Sequence, residues 1–261
     1  MRAIVTVVFL FAAFSGPAAG AEAAKINLRV LAQESMPPKW LMRDGRREGL
    51  CPDIIAAIEK VEPQLHFTGY NDYRSTLMIE KALEAGTVDA TCGLLDTPRR
   101  RQIAQVAGPS LYVVRQRLVA RRDDTAVVRN FDDLLKLQSL IVVTRGSSIV
   151  EQLRALGLKV DDSNGDNRVN LKKVAAGHGR FFYMNELTLT WLLQSEQLQG
   201  QFRLLPGALK EEPIYFWLSK KVDPATTSLA GRALDKLQAS GELARIYKRW
   251  ATREPYAPGS R

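Results

Sequence analysis

The stretch AGTVDATCGLLDTPRRRQ, residues 85–102, reads as a helix ending at Gly86, a strand VDATCGLL, and a loop that opens a new helix at RRRQIAQ. It completes a run of alternating elements. Upstream lie a strand KINLRVLAQ (25–33), a helix CPDIIAAIEKV (51–61), a strand QLHFTGY (64–70) and a helix RSTLMIEKALEAG (74–86). Ile54, Ile55, Ile58 and Val61 put one apolar face on the first helix. The order β-α-β-α-β predicts a parallel sheet with covering helices. In such sheets ligands bind beyond the carboxyl ends of the strands, where Gly93 and the three arginines lie. Cations at a helix N-terminus are electrostatically unfavourable, so at least one of Arg99, Arg100 and Arg101 is expected to serve a ligand: an arginine grips a carboxylate bidentately.

Working outward, ESMPPKWLMRDGRREGL (34–50) reads as loop, broken by Pro37-Pro38, Gly45 and Gly49. SLYVVRQRLVARRDD (110–124) is a long extended run. A second α/β series follows, through the strands SLIVVTRGSS (139–148) and RFFYMNE (180–186), and PIYFWLSKK (213–221) is a further strand. The tail carries two helices, TTSLAGRALDKLQAS and GELARIYKRW. The expected architecture is two α/β lobes joined by extended strands.

With 261 residues, 46% hydrophobic and 25% charged, the chain can bury real cores and is not of disordered type. Residues 1–23 read as a secretory signal peptide: one Arg, the apolar run 3–14, then small residues at Ala19 and Ala21. No cysteine stands directly after the cleavage site, so no lipid anchor is expected, and the mature protein is expected to be soluble and exported. The net charge of +9 is dispersed, with RRR at 99–101 the longest basic run. No nucleic-acid partner is expected, because no recognition motif accompanies it. Cys51 and Cys92 in an exported chain favour a disulfide over two buried thiols. His66 and His178 have no ligand-like spacing, so neither metal nor cofactor is expected.

Three segments resemble the periplasmic solute-binding proteins of ABC importers, family 3, the amino-acid type. EGLCPDIIAAI is similar to the family's Gly-Phe-x-x-Asp helix start. AGTVDATCGLLDTPRRRQ is similar to its Gly-x-x-Asp…Thr-x-x-Arg stretch. PIYFWLSKKVDPATTSLAGRALDKLQASGELARIYKRW is similar to its closing signature, and the resemblance covers 25–250. It implies the type II two-lobe periplasmic-binding-protein fold. Lobe one would be 25–113 with 215–261, lobe two 114–214, and LYVVRQRLVA and PIYFWLS the crossovers of a hinge. It implies a monomer that captures a small carboxylate-bearing solute and delivers it to an inner-membrane permease, with no catalysis. The alternatives are a ligand sensor for a membrane receptor and a dehydratase or lyase on the same fold.

The Thr-x-x-Arg spacing, Thr97 to Arg100, implies that Arg100 binds the ligand carboxylate, while an ungapped count from Asp89 favours Arg101. By the same resemblance Gly93 offers a backbone group, Thr97 a hydroxyl and Trp40 an aromatic face, although Trp40 reads equally well as a core or surface tryptophan. In lobe two, Ser147 and Ser148 can meet an anionic group or cap a helix. The family's usual aspartate for the ligand's α-ammonium is here Asn185, with Glu186 next. Asparagine supplies no full negative charge, so an ordinary α-amino acid is not the expected ligand.

Overall fold

The computed structural model describes residues 24–255, and the expected leader therefore lies outside the described residues. The chain opens with β1 (Ile26–Arg29), β2 (Ala32–Gln33) and a hairpin of β3 (Leu41–Arg43) and β4 (Arg46–Glu48). It continues through α1 (Leu50–Val61), β5 (Leu65–Thr68), β6 (Tyr73–Arg74), α2 (Thr76–Ala85), β7 (Ala90–Leu95) and α3 (Pro98–Ile103) to the 18-residue β8 (Ala104–Arg121). Then come α4 (Phe131–Lys136), β9 (Leu140–Val142), α5 (Ile149–Ala155), β10 (Lys159–Asp161), α6 (Asn167–Ala175), β11 (Phe181–Asn185), α7 (Glu186–Ser195) and β12 (Phe202–Leu204). β13 (Lys210–Ser219), α8 (Pro224–Ala239) and α9 (Glu242–Thr252) complete it.

The first part forms the expected parallel arrangement. β1 pairs with β5 in parallel, and Val30 bridges Ala90 in parallel, bringing β7 beside them. β13 then runs antiparallel between β7 and β8. In the middle of the chain β10, β9 and β11 are parallel neighbours, and β11 and β12 flank β8 antiparallel. Thus β8 and β13 are the only strands among those described that run from one set to the other.

The cores follow from this layout. One apolar face of α1 (Ile54, Ile55, Ile58) packs with Phe67, Phe216, Leu234 and Ile246 of the first part, and Ile79, Leu83, Leu94 and Trp217 fill its other face. In the second part neighbouring Phe181 and Phe182 enter different clusters, because successive strand residues point to opposite faces. Each such fully buried side chain contributes about 1.5–3 kcal/mol.

Several elements differ from the sequence reading. The run 25–33 is two strands, β1 beside β5 and β2 beside β6; the strand expected over 139–148 is only β9; and β6 and β10 are strands the reading lacked. The segment 34–50 contains the β3–β4 hairpin, turned at Gly45, and is not all loop. Helix α3 stops at Ile103, not at Gln105, because Ala104, Gln105 and Val106 are recruited by β13. Ends read from sequence were otherwise close: Ser75 caps α2 by accepting from Met78 N, and Gly86 terminates it at φ 71°.

Candidate functional site

All three arginines of the opening stretch find carboxylates, and only one arginine faces a cavity. Thr97 caps α3, its hydroxyl accepting from Arg100 N at 3.2 Å. Arg99 pairs with Glu84 at 2.6 Å, and Arg101 Nε donates to Asp96 Oδ1 at 2.7 Å. Both arginines are exposed, so solvent screens both pairs and neither adds much to stability. Arg100 is 3% exposed. Its Nε donates to Glu80 Oε1 at 2.8 Å and its Nη1 to Leu95 O at 2.7 Å. Burial lowers the pKa of Arg100, and the carboxylate of Glu80 opposes that shift. Glu80 and Glu84 stand four apart on α2 and so present one face to α3.

The cavity lies between the two parts of the chain. From the first it is lined by Gln33, Lys39, Gly93 and Arg100, with Leu94, Leu95 and Tyr112. From the second come Thr144, Ser147, Ser148, Asn185 and Tyr183. Lys39 was not singled out by sequence. Its ammonium donates to Gly93 O at 2.7 Å and to the amide oxygen of Gln33, whose Nε2 donates in turn to Thr76 Oγ1 at 2.7 Å. Burial, and secondarily the charge of Arg100, holds the Lys39 amine down at about 7. Among the described residues lining the cavity there are two cations and no carboxylate.

Gly93 makes this arrangement fit. It sits at φ 93°, and a Cβ there would lie 2.5 Å from Lys39 Cδ and 3.1 Å from Cys51 Sγ. The sulfur belongs to a disulfide joining Cys51, in α1, to Cys92, in β7, with Cα atoms 5.8 Å apart. Lys39 O accepts from Cys51 N at 3.1 Å, so the bridge, the glycine and the lysine form one packed unit.

The sequence-derived site residues divide as follows. Gly93, Arg100, Ser147, Ser148 and Asn185 are brought together around the cavity. Arg101, Thr97 and Trp40 are not among the lining residues. Arg101 points to solvent with Asp96, and Thr97 is occupied as a cap. Trp40 is buried in the first core, its ring 6.4 Å from Tyr70. Its neighbour Lys39 takes the cavity position instead. Ser147 Oγ accepts from Ile149 N at 3.3 Å, while Ser148, at the N-cap of α5, makes no side-chain cap bond. Asn185 caps α7, its Oδ1 accepting from Thr188 N at 2.9 Å. Glu186 turns away to pair with Arg117 and, at 3.3 Å, with Arg115.

A second contact spans the two parts. Ser35, in the segment that carries Lys39, accepts from Asn167 N through Oγ at 2.9 Å and from Asn167 Nδ2 through its carbonyl at 2.5 Å. Asn167 begins α6 and also accepts from Thr144 Oγ1. Neighbouring Met36 packs on the α6–α7 core.

Residues 28–253 match the profile of the bacterial extracellular solute-binding proteins, family 3. The chain is similar to the L-glutamate/L-aspartate-binding protein of Pseudomonas aeruginosa, 26% identical over 241 residues, covering 86% of this chain and 76% of that one. It is also similar to a crystallised histidine kinase sensor domain with similarity to periplasmic binding proteins (TM-score 0.75, 18% identity, 88% and 99% of the two chains covered). An arginine-bound substrate-binding protein of an amino acid ABC transporter from Streptococcus pneumoniae gives TM-score 0.71 at 15% identity, with 86% and 94% covered. An ancestral amino-acid-binding protein, precursor of cyclohexadienyl dehydratase, gives 0.70 at 18%, with 87% and 96% covered. The shared fold is the two-lobe α/β, type II periplasmic-binding-protein fold.

Proposed function

The chain belongs to the bacterial extracellular solute-binding proteins, family 3, and we propose that it captures a small carboxylate-bearing solute between its lobes and delivers it to an ABC importer of the inner membrane. The observation that carries the reading is the cavity with buried Arg100 and Lys39 and no lining carboxylate. An anion entering it supplies the charge that the protein withholds. The lobes are 25–113 with 215–261, and 114–214. These divisions fall within β8 and β13, the two shared strands, which act as the hinge. The protein works after export, in the periplasm, as a monomer that meets the permease in its closed form.

The likeness to a histidine kinase sensor domain favours a second reading, in which the closed form reports to a membrane receptor. Pull-down of a permease or of a receptor by ligand-loaded protein separates the two. A thermal-shift screen over amino acids and organic acids tests the binding itself. A ligand at a hundred times its Kd stabilises by about 2.7 kcal/mol. If no carboxylate raises the melting temperature, the proposal fails. Nuclear magnetic resonance of the incubated ligand would expose turnover, the outcome that a dehydratase would give.

A further inference from the structure

Lys39 is a buried ammonium built into place without a carboxylate. An ammonium has three donors, and here two neutral oxygens, of Gln33 and Gly93, receive it. Its stem runs against Gly93, and its backbone carbonyl is tied to Cys51 N. The charged groups packed around it do not cancel it. Arg100 on α3 is a like charge, and Glu80 on α2 is committed to Arg100. Glu212 on β13 is bound by Lys210 and Gln116. Tyr112 on β8 and Tyr183 on β11 are held neutral by burial. With Lys39 protonated, Lys39, Arg100 and Glu80 together leave one positive charge over at the cavity.

Opposite stand Thr144, Ser147, Ser148 and Asn185, all neutral. Asn185 Oδ1 is already accepting from Thr188 N, and Glu186 faces elsewhere. A ligand ammonium would therefore be buried without an opposite charge, beside two cations. The rest of the wall is mostly apolar, from Leu94, Val114, Ile149 and Ile214 among others, with Thr76, Gln116 and Thr188 its polar members.

We propose that Lys39 is a second cationic anchor for the ligand's anionic group, and that the site selects apolar-bodied carboxylates lacking an α-ammonium, of which 2-oxo acids are the simplest class. The inference rests on reading the cavity as the solute site and names the solute's chemistry. It also makes binding proton-linked. The Lys39 amine, held at about 7 in the empty site, regains its proton when an anion arrives. Uptake therefore grows as the pH rises above 7.

The test is calorimetry at pH 8 in buffers of different ionisation enthalpy, with matched pairs: 4-methyl-2-oxopentanoate against L-leucine, and phenylpyruvate against L-phenylalanine. Expected are at least about tenfold tighter binding of the oxo acid, net proton uptake by wild type, and loss of both in Lys39→Met. Lys39→Arg, whose charge does not titrate near neutrality, should bind without proton uptake. Equal binding within both pairs, no proton exchange in wild type and an unaffected Lys39→Met would overturn the inference while leaving carboxylate capture standing. The wild-type uptake measurement needs no variant to fold. If neither member of either pair binds while a neutral solute does, the solute-site reading falls with it.

Discussion

Glu80 accepts from Arg100 Nε at 2.8 Å, whereas Lys39, buried in the same cavity wall, meets only the neutral oxygens of Gln33 and Gly93. One cation is neutralised within the fold and the other is not. That inequality underlies the behaviour expected of the site.

Arg100→Ala should weaken carboxylate binding by about 2–5 kcal/mol, because it removes a buried donor and strands Glu80. Arg101→Ala, which breaks only an exposed pair with Asp96, should bind like wild type. Calorimetry on both variants decides between them. Equal losses would mean that the exposed arginine turns into the cavity on closure.

The unliganded protein should gain stability from Lys39 as pH rises above neutrality. Folding depresses this amine from 10.5 to about 7. Below about pH 7 both folded and unfolded states hold the proton, and the burial penalty is full. Between 7 and 10.5 the unfolded state binds more protons, so stability rises with pH. Relative to Lys39→Met, the gain from pH 7 to 10 should be on the order of 3 kcal/mol. Urea unfolding of the two proteins at pH 7 and pH 9.5 measures it, and parallel pH profiles would refute it.

Gly93→Ala should damage the site more than its single methyl suggests. The residue sits at φ 93°, and the added Cβ collides with Lys39 Cδ at 2.5 Å. The expected cost is about 1–3 kcal/mol of stability, with affinity falling as the ammonium is displaced. A melting curve and a titration check both, and unchanged affinity would show that Lys39 can relocate freely.

Replacing both Cys51 and Cys92 with alanine should lower stability by about 4 kcal/mol in the chain-entropy account, for a sequence separation of 41. Because Lys39 O is bonded to Cys51 N, binding should weaken too. Mass measurement with and without reductant establishes the bridge in exported protein, and two free thiols there would contradict it.

The sequence makes legible what local pattern controls. Arg100 comes from the Thr-x-x-Arg resemblance, with Arg101 its rival, whereas the β-α-β-α-β opening and the end of α2 at Gly86 follow from spacing within one or two elements. The cavity ammonium does not. The surroundings of Lys39 are assembled from Gln33, Gly93 and Arg100, up to 61 residues away, and the adjacent Trp40 is the more conspicuous side chain. The acids of Arg99 and Arg100 lie on the preceding helix, as Glu84 and Glu80 four residues apart, and that of Arg101 is Asp96 in the loop before α3, so none of the three pairings shows as a motif. The end of α3 was misplaced because strand pairing with β13, more than a hundred residues on, outweighs helix propensity there.

Ser35 and Lys39 are four residues apart on one strip of backbone, one gripping Asn167 in the far lobe and the other facing the cavity. Escape of a bound molecule requires both holds to slacken together, so the two act on residence time rather than on capture speed. Asn167→Ala should shorten the dwell time several-fold in stopped-flow displacement while leaving the association rate nearly unchanged. Combined with Lys39→Met, the loss should fall short of the sum of the single losses, since a strip already loose at one end has less to lose at the other.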